Sequence, residues 1–198
     1  MRRIALVLLM PLFLAACGAE STWAPDDAVQ RALYRHDGPP TITLFTVISN
    51  QNGSGGHSAI MVNGSHRAIF DPAGTFQHPA LPERNDVVFG MSDRAVQFYN
   101  EYHARVTWHV VRQDVVVSPE VAEAALQRIQ AYGAVPKAMC AQATSDILND
   151  LPRFGNIPQT FSPLAVMRAF GARPGVTRSE FRDDSPANND FIKAPAVL

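Results

Sequence analysis

The chain has little cysteine, no surplus of positive charge and no apolar run of membrane-spanning length. Two cysteines in 198 residues exclude a disulfide-stapled scaffold. Lys plus Arg number 17 against 18 Asp plus Glu, a formal charge of −1, which argues against a dedicated nucleic-acid binder. No internal repeat, Gly-x-Ser-x-Gly elbow, HExxH pair or phosphate-loop Lys-Ser/Thr is present. What is present is an ordinary globular composition, 46% hydrophobic and 18% charged, enough for one core.

The start of the chain reads as an address. Arg2 and Arg3 precede an apolar stretch from Ile4 to Leu14, well short of the ~20 residues a spanning helix needs. It has the form of a secretory h-region. It ends in Leu14-Ala15-Ala16-Cys17-Gly18, which resembles a bacterial lipobox. The resemblance implies cleavage after residue 16, lipid attachment at Cys17 and a membrane anchor on the periplasmic side. Gly18 after the lipidated residue resembles lipoproteins sorted to the outer membrane. The other reading is a plain secretory signal that happens to contain a cysteine.

Residues 17–40 read as the lipidated N-terminus and a tether, with a short helix over 28–36 and the Pro39-Pro40 pair as its boundary. The β-branched run Thr41 to Ser49 predicts a strand. Asn50 to Gly56 is loop by composition. His57 to Val62 and His66 to Asp71 predict a hairpin around Asn63-Gly64-Ser65. Pro72 to Asp86 is a loop, and Val87 to Gly90 a short strand. Ser92 caps a helix to about Tyr102, and Arg105 to Val117 is one bent strand or two. Ser118-Pro119-Glu120 opens a helix ending at Gly133. Met139 to Asn149 is another helix, and Ser162-Pro163 starts a last one that ends before Gly171. Residues 172–198 read as a loosely attached tail. The expected fold over 41–171 is α+β, an antiparallel sheet with helices packed on one side.

With Cys17 processed, Cys140 is the lone thiol. It has two readings. Its helical neighbours Ala143, Thr144, Ile147 and Leu148 form a core-facing stripe, as a buried inert cysteine would have. The same position, just after Val135-Pro136-Lys137, puts it in the first turn of a helix, where unpaired N–H groups favour a thiolate. A nucleophilic cysteine needs a base, and the base needs an orienting group. His57, after Gly55-Gly56, is the candidate base. With a three-residue loop at 63–65 it faces Asp71; with a two-residue turn it faces Phe70. Asp71 is also explained by turn chemistry in Phe70-Asp71-Pro72-Ala73-Gly74. A zinc site from His57, His66, His78 and Asp71 lacks any metal-ligand spacing. Phe98, Tyr99, Tyr102 and Trp108 read as core, and His103 and His109 as surface or helix-end residues.

The stretches Gly-Gly-His-Ser-Ala-Ile-Met-Val (55–62) and Met-Cys-Ala-Gln-Ala-Thr-Ser-Asp-Ile-Leu (139–148) resemble the circularly permuted branch of the NlpC/P60 papain-like superfamily, in which the histidine precedes the cysteine. The resemblance covers roughly residues 41–151. It implies a Cys140 nucleophile, a His57 base and a polar third residue, Asp71 or His66, with Asp71 preferred. Members often carry Tyr or Asn beside the cysteine, where this chain has Met139. The implied activity is a thiol hydrolase or acyltransferase on an amide or ester of the cell envelope. Peptidoglycan stem peptides are the first expectation and lipid acyl groups the second. No cofactor is implied. The alternative is a binding or assembly lipoprotein that keeps the fold without the chemistry.

Overall fold

The computed structural model describes Ala19 and residues 21–187. The leader and the lipidation candidate Cys17 lie outside the described residues. Among the described residues no helix is long and apolar enough to cross a membrane.

The fold is α+β. Helix α1 (Asp26–Ala32) leads into strands β1 (Thr41–Ser49), β2 (Gly55–Asn63), β3 (Arg67–Phe70), β4 (Glu83–Arg84) and β5 (Val87–Phe89). Helix α2 (Asp93–His103), strand β6 (Trp108–Val116), helices α3 (Pro119–Tyr132), α4 (Cys140–Asn149) and α5 (Pro163–Gly171), and strand β7 (Thr177–Phe181) follow. The strands form one antiparallel sheet in the order β4-β5-β3-β2-β1-β6-β7. The helix starts follow from their caps. Ser92, Ser118 and Ser162 each accept from the backbone N–H three residues on, and Pro119 and Pro163 stand in first turns where no N–H is needed.

Strand β1 lies inside the sheet between β2 and β6, and eight of its nine residues are buried. Both its faces are therefore covered, which is why it lacks a clean two-residue alternation. On one face Ile42, Leu44, Ile60, Val62 and Phe70 pack against Leu126 and Ile129 of α3, Ile147 of α4 and Phe170 of α5. On the other, Phe45, Met61, Ile69 and Val110 pack against Val96, Phe98 and Tyr99 of α2. Each such side chain contributes about 1.5–3 kcal/mol on burial. Helix α2 thus departs from the one-sided packing expected from sequence, because a central strand apolar on both faces needs a second cover.

Both ends of the described chain are also more integrated than expected. Trp23 bridges to Arg84, the Ala24 N–H donates to the Glu83 carbonyl at 2.9 Å, and Val29 is buried. Residues 177–181 pair with β6 as β7, and the Val106 N–H donates to the Ser185 carbonyl at 3.0 Å. Low hydrophobicity in these segments is compatible with edge pairing, since exposed β7 contributes backbone bonds rather than core.

Candidate active site

Two irregularities in the sheet create the site. The β1–β2 register pairs Val47 with His57 but Ile48 with Gly55, leaving Gly56 as the extra residue of a bulge just before His57. A Cβ at residue 56 would collide with the Trp108 ring, and one at residue 55 would press on Pro163 and Leu164, so both glycines allow close approach. Strand β3 pairs only with Ile60–Asn63, so residues 57–59 of β2 have no strand neighbour on that side. The start of α4 fills the gap. Thr144 Oγ1 donates to the Ser58 carbonyl at 3.4 Å, which ties α4 to this stretch of β2.

Asp71 reaches His57 by a route that differs from the expected one. Ile60 pairs with Phe70 and Asn63 with Arg67, around a loop of residues 64–66. Continuing that register sets Asp71 across from Ala59, two residues from His57. An even shift preserves the face of the sheet, so carboxylate and imidazole still meet. His57 Nε2 lies 2.7 Å from Asp71 Oδ1. That bond leaves the other ring nitrogen free, and the mutual electrostatic influence of the His57 imidazole and the Cys140 thiol shows that the two side chains are neighbours. The structure therefore brings Cys140, His57 and Asp71 together. His66, the alternative third residue, lies at the opposite end of the hairpin and stacks on Phe89. His78 is buried with its ring against Phe98. The zinc set His57, His66, His78 and Asp71 does not assemble.

Cys140 is the first residue of α4, and Met139 before it provides no side-chain cap. The N–H groups of Cys140, Ala141 and Gln142 have no intrahelical acceptor. Cys140 as a residue is 7% exposed. Burial pushes its pKa up, but the hydrogen bond and charge of His57, with the Ser58 and Ala141 N–H groups, outweigh that and hold it below the ordinary thiol range. Burial likewise works against a charged His57, yet the Asp71 carboxylate, through charge and hydrogen bond, raises the imidazole well above its usual value. Burial would lift Asp71, and the His57 charge and hydrogen bond instead hold it well below the usual carboxylate range. The arrangement favours a thiolate–imidazolium pair with a carboxylate behind it.

Helix α2 supplies two residues that local sequence pattern alone assigns to the core and to the surface or a helix end. The Tyr99 hydroxyl donates to the same Asp71 Oδ1 at 2.7 Å. Burial, and then the Asp71 charge, keep that phenol well above its ordinary pKa, so it remains a donor. His103, one turn on, donates from Nδ1 to the Tyr99 carbonyl at 2.9 Å, and its ring lies parallel to His57 with centroids 5.6 Å apart. Burial, reinforced by the His57 charge, lowers His103 to about 4 despite the pull of Asp71, so it is neutral beside a charged neighbour. The signal available in the sequence was the i, i+4 spacing of Tyr99 and His103, which puts both on one face. Among the described residues His57, Asp71 and His103 also form a group of metal-type donors within 4.8 Å of one another. Two of the three are already engaged with each other, since His57 Nε2 and Asp71 Oδ1 are hydrogen-bonded directly.

Both flanks of the site are strained. Ala73, two residues after Asp71, has φ 55°, and Ala138, two residues before Cys140, has φ 69°. Left-handed backbone at alanine costs ~1–2 kcal/mol. The Met139 N–H donates to the Pro136 carbonyl at 3.2 Å, closing the turn that contains Ala138 and aims Cys140 at β2.

Compared with protein-family models, with curated proteins and with solved structures, the chain has no match in any of the three.

Proposed function

We propose that the chain is a cell-envelope thiol hydrolase or acyltransferase acting on an amide or ester bond. The observation that carries this reading is the His57 ring held between the Asp71 carboxylate at 2.7 Å and the Cys140 thiol at a helix start. In the proposed reaction the Cys140 thiolate attacks the carbonyl carbon. The oxyanion is stabilised by N–H groups at the start of α4. Imidazolium His57 gives its proton to the leaving amine or alcohol, leaving a thioester. Water, or an acceptor hydroxyl or amine, then attacks with His57 as base, and Cys140 departs as thiolate. Asp71 holds the ring in position throughout.

The order of the residues, His57 before Cys140, and a helix-borne thiol facing an antiparallel sheet support the permuted NlpC/P60-type reading. The leader ending at Cys17 supports a lipid anchor and an envelope location, with the outer membrane favoured by Gly18. Peptidoglycan stem peptides remain the first substrate proposed, and lipid acyl groups the second. A non-catalytic envelope lipoprotein is the second reading, favoured by one observation: Cys140 is only 7% exposed.

The test is the rate of iodoacetamide reaction at Cys140 in the native protein across pH. The enzyme reading expects thiolate reactivity well below pH ~8.5, abolished by C140S and moved to higher pH by H57A. Reaction only after denaturation, or an unchanged profile in H57A, would establish the binding-protein reading instead.

A further inference from the structure

The two halves of the site come from separate stretches of chain. His57 and Asp71 belong to the β2–β3 hairpin, and Cys140 to the segment linking α3 to α4. What fixes their spacing is not itself part of the triad. Asp86 is 9% exposed and sits in the β4–β5 turn. Arg84 pairs with Val87, and Asn85 and Asp86 have φ 44° and 67°, which makes this a two-residue type I′ turn. Asp86 Oδ2 accepts the Val135 N–H at 2.8 Å and the Ala73 N–H at 3.2 Å. The Asp86 carbonyl accepts the Asp71 N–H at 2.8 Å.

One buried carboxylate oxygen therefore holds the backbone just after Asp71 and the backbone that leads, through the strained Ala138 turn, to Cys140. No salt bridge to Asp86 occurs among the described residues; its charge is met by backbone N–H groups. Burial raises its pKa and those N–H groups work the other way. The titratable groups facing it are Asp71, His57 and Glu83. A buried charge without a cation is costly, and type I′ turns do well with Asn-Gly, so turn formation does not require the carboxylate.

We infer that Asp86 is a positioning residue that clamps the Asp71 loop to the Cys140 loop and so sets the distance between imidazole and thiol. The inference rests on the thiolate–imidazolium reading above. The most informative variant is D86G, because glycine suits the left-handed second position of the turn while removing the clamp. D86N is its conservative counterpart, since an amide oxygen still accepts both N–H groups and Asn tolerates the same backbone.

The experiment measures iodoacetamide reaction at Cys140 against pH in the full chain, with urea unfolding run in parallel. D86G is expected to retain a cooperative unfolding transition, lose at least about tenfold in rate at pH 6 and move its acid limb upward. D86N is expected to stay within about threefold of wild type. A wild-type profile in D86G overturns the clamp while leaving the triad reading intact. Equal losses in D86N and D86G also overturn it, because charge rather than the bridging oxygen would then be responsible. An ordinary thiol profile in the wild-type protein overturns the triad reading, and the clamp with it.

Discussion

Gly74 offers a direct probe of how Asp71 is held. Its N–H donates to the Asp71 carbonyl at 2.9 Å, which folds the chain back over the Asp71 side chain. A Cβ at residue 74 would fall within 3.0 Å of Asp71 Oδ2, Cγ and the backbone oxygen, closer than real Cβ contacts come. The carboxylate would have to swing away. Both bonds on Oδ1, from His57 and from Tyr99, are 2.7 Å long and would be lost together. Hydrogen bonds to a charged acceptor contribute ~1.5–3 kcal/mol each, so G74A should cost about 3 kcal/mol. Cavity or backbone effects unrelated to Asp71 are separated by a double-mutant cycle. In a D71A background the clash has no partner, and G74A should cost under ~1 kcal/mol, a coupling of about 2 kcal/mol. Urea unfolding of the four proteins at pH 6 measures it. Equal costs in the two backgrounds, or coupling below ~0.5 kcal/mol, would refute this account of Asp71.

Two further outcomes follow from the same geometry. Asp71, depressed in the fold, contributes stability above its unfolded pKa of ~3.9 and loses it as pH falls below that. His57, raised in the fold, contributes fully below ~6.5 and loses that contribution as pH rises above it. His103, lowered to about 4, withdraws stability as pH falls from ~6.5 toward 4. Cys140, lowered in the fold, adds stability as pH rises toward its unfolded value and so masks the His57 loss in the wild-type protein. In a C140A background the combined contribution of Asp71, His57 and His103 should peak near pH ~6.5, and unfolding free energies of C140A and C140A/D71N from pH 3 to 10 check it: D71N should lessen the alkaline fall, and an unchanged fall would refute the pairing. A138G should stabilise the protein by about 0.5–1 kcal/mol, the relief of left-handed alanine less the entropy gained by the unfolded chain. It should also leave the Cys140 reactivity profile in place; a destabilised variant would show that Ala138 carries no strain.

Much of the local structure was legible because it is written in short-range chemistry. Ser92, Ser118 and Ser162 mark helix starts by satisfying N–H groups three residues away, and Gly133 ends α3. The β-branched run at 41–49 forms β1. The parity that puts His57 and Asp71 on one face was also legible, though the partner residue was not. Pairing offsets depend on which residues form the loop, and here 64–66 turn rather than 63–65. Edge pairings were missed for a related reason: Glu83–Arg84 and Thr177–Phe181 gain backbone bonds from neighbours and carry little apolar signal of their own.

The sequence alone determined the α+β class, the placement of Cys140 in a helix first turn and the residue types able to form a nucleophile, base and orienter. These follow from propensity, capping and periodicity, which act over a few residues. Only the tertiary structure decided that His57 touches Asp71 rather than His66, that Tyr99 and His103 stand behind them, and that one Asp86 oxygen joins the two halves. Such contacts link residues tens of positions apart. Their geometry is set by sheet register and by where β3 stops, quantities that no local stretch of chain encodes by itself.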